Sequence, residues 1–186
     1  MILGLDISTS ITGATILDKE GIIIYNEAWD TRRFKNMFEK AAAVKEKILD
    51  AYEHSIDGGS TIKHVFVEQN LQSFRSGFSS AKTLSALSKF NGIVSWMCYE
   101  SLDIQPEYVA ATTARKLAGI RVPRGMRAKD VVLRHIQESG LLEVEYTKQG
   151  NPKPQYYDRA DSIIIAKAGH YLVQEAQENE AKSDNK

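Results

Sequence analysis

ILGLDISTSITG, residues 2–13, begins as a short apolar, β-rich run and then places a carboxylate, Asp6, at its end. An acid there is costly to bury unless it is paired, hydrogen-bonded or metal-bound. Taken alone, Asp6 could equally cap the turn Ser8-Thr9-Ser10 that follows it. The pattern returns in HVFVE, residues 64–68, a compact buried-type strand closed by Glu68, which alone reads as a solvated strand end. If the two strands lie side by side in one sheet, both acids reach the same edge. Near the C-terminus Asp158 and Asp161 stand at i and i+3 at the start of a helix, so they share one face. Singly, each suits the positive end of the helix dipole; together they repel unless a cation sits between them. Four carboxylates converging on one spot make a hard oxygen site suited to Mg²⁺, with Mn²⁺ as a substitute.

Outward from these motifs, the sequence predicts three strands in front: 2–7, 13–17 and 21–28, with the turn Asp18-Lys19-Glu20-Gly21 between the last two. Residues 34–55 have helical spacing through Phe34, Phe38, Ala41, Val44, Ile48 and Tyr52. After the strand 64–68 come a long helix over 79–100, a strand over 104–109, shorter helices over 112–118 and 127–139, and a last helix over 158–175 with Ile164, Ala168, Tyr171 and Leu172 as core positions. This order predicts an α/β fold, a mixed sheet covered by helices. One domain is expected over 1–175, followed by a polar, disordered tail over 176–186.

The 186 residues hold 24 basic and 24 acidic side chains, with 42% hydrophobic and 26% charged residues, a globular balance that argues against bulk-charge coating of nucleic acid. No apolar run reaches the roughly 20 residues of a membrane helix, and no secretory signal is seen at the N-terminus, so no membrane partner is expected. A single cysteine, Cys98, permits no intrachain disulfide and fits a reducing, cytoplasmic compartment. Its apolar neighbours suggest a buried, inert thiol, and Trp96, Met97 and Tyr99 beside it suggest core or a dimer interface.

Together LGLDISTSITG, VFVEQ and YDRADSIIIAKAG resemble the RuvC-type Holliday junction resolvases of the ribonuclease H-like superfamily. Asp6, Thr12 and Gly13 match that family's first motif, with Ser8-Thr9 in place of its usual Pro-Gly; Val67-Glu68-Gln69 match the second; Asp158 and Asp161 match the third. The altered first motif and the long segment 144–157 suggest a divergent branch of phage or viral type. The resemblance implies a ribonuclease H-like mixed β-sheet flanked by α-helices. It also implies a homodimeric, metal-dependent endonuclease that nicks four-way junctions symmetrically. Asp6, Glu68, Asp158 and Asp161 would hold two Mg²⁺ ions, and the products would be a 5′-phosphate and a 3′-hydroxyl. Lys116 matches one of the family's active-site lysines; Lys129, with Arg127 as fallback, matches the other.

Charge distribution supports a nucleic-acid surface independently. Arg115, Lys116, Arg121, Arg124, Arg127 and Lys129 fall in one window free of acids and broken by Gly119, Pro123 and Gly125, which suits phosphate contacts as well as a merely solvated face. Phe74 and Arg75, in NLQSFRSGFSS after Glu68, are candidates for stacking on bases at a branch; packing of Phe74 beneath the next helix is the alternative. Two other functions share the fold: a ribonuclease H-like nuclease on other branches or RNA–DNA hybrids, and an actin-like or sugar-kinase-type nucleotide binder, since LGLDISTSITG also resembles the phosphate-binding turn of those proteins. The motifs specify neither a cleavage sequence nor a helicase partner.

Overall fold

The computed structural model describes residues 1–69 and 81–183. Within them the chain runs β1 (Ile2–Asp6), β2 (Ile11–Leu17), β3 (Ile23–Asp30), α1 (Met37–Asp57), β4 (His64–Glu68), α2 (Ala81–Leu102), β5 (Glu107–Val109), α3 (Ala111–Leu117), α4 (Ala128–Glu138) and α5 (Gln155–Ser183). The strands form one mixed sheet in the order β3-β2-β1-β4-β5. β1–β2 and β2–β3 pair antiparallel, whereas β1–β4 and β4–β5 pair parallel.

Alternation along the two central strands decides which side chains meet which helices. Leu3, Leu5 and Ile7 on β1 and its continuation, with Val65 and Val67 on β4, pack into a core with Ala41, Val44 and Ile48 of α1 and Phe90 and Val94 of α2. Ile2 and Phe66 point the other way, into a second core with Val132 and Ile136 of α4 and Ile163 and Ile164 of α5. By the same period of two, Asp6 and Glu68 belong to the α5 side. The parallel register aligns Leu5 with Val67, so its next step puts Asp6 beside Glu68 at the same edge.

α5 lies against the sheet at backbone distance. A Cβ on Gly13 would sit 1.9 Å from the Asp158 carbonyl oxygen, and one on Gly4 would sit 2.5 Å from the Ala166 nitrogen. A polar cluster fixes the helix's approach: Thr15 Oγ1 lies 2.7 Å from Ser162 Oγ, Asn26 donates to Thr15 Oγ1 at 2.7 Å, and Arg159 Nε donates to Asn26 Oδ1 at 2.7 Å. Gly13→Ala should therefore push the start of α5 off β2. The expected cost is at or above the upper end of the ~1–3 kcal/mol typical of overpacking, read as a lowered urea midpoint; an unchanged midpoint would contradict this close approach.

Some boundaries differ from the sequence expectation. α1 starts at Met37, because the Asn36 side chain accepts the Glu39 N–H as N-cap. Its inward stripe is Ala41, Val44, Ile48, Ala51 and Ser55, with Met37 packed on the same core. Phe38, one position off that stripe, is turned about 100° away and is 81% exposed rather than a core residue. Tyr171 on α5 is likewise at the surface, while Ile164 and Ala168 are buried as expected. α5 continues to Ser183, so residues 176–183 are an exposed helix rather than a loose tail. Among the described residues no helix is long and apolar enough to cross a membrane.

Candidate metal centre and nucleic-acid surface

Asp6 leaves β1 without capping the turn after it. Ser8 takes that role: its Oγ accepts the Ser10 and Ile11 N–H groups at 3.2 and 3.0 Å and donates to the Ile11 carbonyl at 2.7 Å. Asp6 and Asp161 are buried, at 9% and 6% exposure, and Glu68 and Asp158 are half-buried. Chain segments more than 60 residues apart bring these acids together, and the second residue of α4 joins them. The Lys129 ammonium lies 3.1 Å from Asp158 Oδ1, 3.3 Å from Asp161 Oδ2 and 3.8 Å from Asp6 Oδ2.

The electrostatics show a site short of positive charge. Burial, then Glu68 and Asp161, pushes the Asp6 carboxyl well above the usual carboxylate range. Burial, then Asp161, raises Glu68 to about 7, with Lys129 and Arg115 opposing. Asp158 and Asp161 are also raised, first by burial, and Lys129 restrains both. Burial alone would depress Lys129, but Asp6, Asp161 and Asp158 outweigh it and raise it, so it stays charged.

The donor set fits a hard divalent cation: carboxylate oxygens throughout, buried or half-buried, and incompletely neutralised. Asp158 and Asp161 stand within 3.3 Å of the Lys129 ammonium and Asp6 within 3.8 Å, and among the described residues no three His, Cys, Asp or Glu side chains close on a common ion position.

Of the two candidates for the second basic residue, Lys129 is the one in the cluster; Arg127 is exposed and lies 3.9 Å from Asp130. On α3 it is Arg115 whose field reaches Glu68 and Asp161. Lys116 instead lines an adjoining cleft of about 490 Å³ with Arg115, Arg121 and Thr112. Arg121, Arg124 and Arg127 are exposed on the connection between α3 and α4. Phe74 and Arg75 lie outside the described residues. His170 is occupied with the Lys19 carbonyl at 3.1 Å, and burial pushes the Cys98 thiol up to about 12, as suits an inert core cysteine. What the sequence does not signal is that Arg115, beside Lys116 on the lining of this cleft, also acts electrostatically on Glu68 and Asp161, which depends on how α3 docks.

No protein-family model matches the chain, and no curated protein sequence matches it. Solved structures do. Thermus thermophilus RuvC in complex with a Holliday junction substrate superposes with a TM-score of 0.63 at 15% identity, covering 93% of this chain and 94% of that one. A second Thermus thermophilus RuvC structure gives 0.58 at 19% identity, covering 93% and 95%. The yeast mitochondrial Holliday junction resolvase Ydc2 gives 0.53 at 11% identity, covering 91% and 77%. At these identities the likeness is one of fold, and over nine-tenths of its length the chain is built on the RuvC-like, ribonuclease H-like α/β plan.

Proposed function

We propose that this protein is a metal-dependent endonuclease that cuts branched DNA, four-way junctions foremost. The observation that carries this reading is the undercompensated cluster of Asp6, Glu68, Asp158 and Asp161 beside a cleft lined by Arg115, Lys116 and Arg121. The fold likeness to a RuvC bound to a Holliday junction supports the choice of substrate.

The four carboxylates would hold Mg²⁺, or Mn²⁺ in its place. When bound, such ions supply an activated water and offset charge on the leaving oxygen, giving a 5′-phosphate and a 3′-hydroxyl. The chain's own groups do the rest. Cations of the cleft bind the backbone on either side of the scissile phosphate and hold it against the repulsion of the acids. Arg115 and Lys129, next to those acids, lower the cost of bringing a phosphate anion to them. The Thr15–Asn26–Arg159–Ser162 cluster keeps Asp158 and Asp161 at fixed positions over the sheet edge.

The deciding experiment is cleavage of an end-labelled synthetic four-way junction in Mg²⁺ and in EDTA, beside a linear duplex, a Y-fork and an RNA–DNA hybrid. Paired, Mg²⁺-dependent nicks on the junction are expected. Cleavage of the hybrid alone would move the activity to the ribonuclease H branch, and no metal-dependent cleavage of any substrate would remove the reading.

Paired nicks call for two sites, and we read the chain as a homodimer. Trp96 and Tyr99 form an exposed aromatic pair on α2, 62% and 46% exposed with rings 5.7 Å apart, and Tyr108 is exposed on the neighbouring β5. Aromatic side chains exposed together mark an association face. Sedimentation should give twice the chain mass, and Trp96→Glu should halve it while the chain keeps the parent's far-UV circular dichroism. A parent protein that stays at the chain mass even when bound to DNA would exclude pairing through this face.

A further inference from the structure

We propose a second DNA-contact rim on the opposite flank of the acidic cluster, formed by residues 31–38; it rests on the DNA-cutting reading above. The sheet order places it. α3 follows β5 at one end of the carboxylate edge, and the segment 31–38 follows β3 at the other. Four strand spacings separate the ends, roughly 19 Å, or about five to six nucleotides along one strand. A phosphate bound here is therefore not one bound in the α3–α4 cleft.

The segment reads TRRFKNMF and contains no acid. It is tied to the turn after Asp6: the Thr31 N–H donates to the Ser10 carbonyl at 2.9 Å, and Lys40, one turn into α1, donates to the Thr9 carbonyl. Arg32 pairs with Asp30, the last residue of β3, which the register places at the sheet edge where β1 ends in Asp6. Arg33 and Lys35 are exposed and have no ion-pair partner among the described residues; Glu39, the nearest following acid, accepts the Lys35 N–H instead. The Arg33 guanidinium lies over the Phe34 ring at 4.7 Å. Phe38, three residues after Lys35 in the sequence, is 81% exposed. A single exposed apolar residue is ordinary. An exposed aromatic close in sequence to two exposed cations, one of them an arginine stacked on a ring, is the composition that holds a backbone while a base stacks on a ring. Branched DNA supplies both an anionic backbone and unstacked bases at the branch.

The test is fluorescence-anisotropy binding to a four-way junction and to a linear duplex in EDTA, where nothing is cut. Arg33→Ala with Lys35→Ala should make the salt dependence of log K shallower by about 1.8, at about 0.9 per phosphate contact. Phe38→Ala should weaken the junction about fivefold or more and leave the duplex unchanged, while Phe38→Tyr restores junction affinity. All these side chains are at the surface, so melting temperatures should stay at the parent value. A parental slope in the double variant, alongside a shallower slope in Arg121→Ala with Arg124→Ala, would overturn this rim and leave the nuclease reading standing. Loss of slope with parental junction affinity in Phe38→Ala would overturn the stacking role. A parent protein that binds no junction at all would defeat the nuclease reading itself.

Discussion

Asp161→Asn is expected to bind a four-way junction at least as tightly as the parent protein and not to cut it. Asp161 is buried one helical turn after Asp158, with its carboxylate 3.3 Å from the Lys129 ammonium. Asparagine keeps the shape of the side chain and an oxygen for Lys129, so the fold and the DNA surface survive. What it removes is one negative charge from a set of oxygen donors. Losing a partner of a metal ligand typically costs about 10–100-fold, and losing a ligand should exceed that, so the rate should fall by more than about 100-fold. Binding should hold or improve, because one fewer carboxylate repels the phosphate backbone. Single-turnover cleavage of a labelled junction in Mg²⁺, with anisotropy binding in EDTA, reads the two effects separately. Cleavage near the parental rate would mean that these acids are not the reaction centre.

The acids were legible in the sequence because strand geometry is rigid. A carboxylate in phase with Ile2 and Gly4, and another in phase with Phe66, must leave the sheet on one face, and i, i+3 spacing does the same on a helix. The position of Lys129 inside the cluster depends on α4 packing on α5 through Val132 and Ile136, a contact between segments with no local signature. That packing, and not the local sequence, sets Lys129 against the acids and leaves Arg127 at the surface. Apolar residues at both 37 and 38 allow two stripes along α1, and the sheet accepts only the one through Met37 and Ala41, which leaves Phe38 outside. The length of α5 has another cause. Residues 176–183, AQENEAKS, are polar but include good helix formers, and with a Glu178–Lys182 pair at 3.8 Å they continue a helix already nucleated against the sheet. Low hydrophobicity there signals a solvated helix. The basic run at 32–35 was readable from composition alone, but its relation to the acids appears only once β3 is seen to end at the same edge as β1.

Freed of divalent cations, the protein should lose stability as the pH rises from about 5 to 7.5. The sign follows from the acids themselves. Glu68 titrates near 4.5 when exposed and near 7 in the fold, and Asp6 is also raised. Between those values the folded chain binds more protons than the unfolded one, so stability falls with pH. Below the unfolded value both states are protonated and no penalty applies; above the folded value the full repulsion is present. Lys129, also raised, stays charged throughout this window and adds no slope there. The Glu68 shift alone corresponds to a cost on the order of 3 kcal/mol, or roughly 6–12 °C in melting temperature for a chain of this size. Millimolar Mg²⁺ should flatten or reverse the trend, because it binds the ionised carboxylates and its stabilisation grows as protons leave. Glu68→Gln should melt higher than the parent in EDTA near pH 8, show less slope, and gain less from Mg²⁺. Melting curves across that pH range, in EDTA and in Mg²⁺, test the metal assignment without any nuclease reading. A flat profile in EDTA, or one that Mg²⁺ leaves unchanged, would mean that the acids are neutralised within the fold and have no call on a divalent ion.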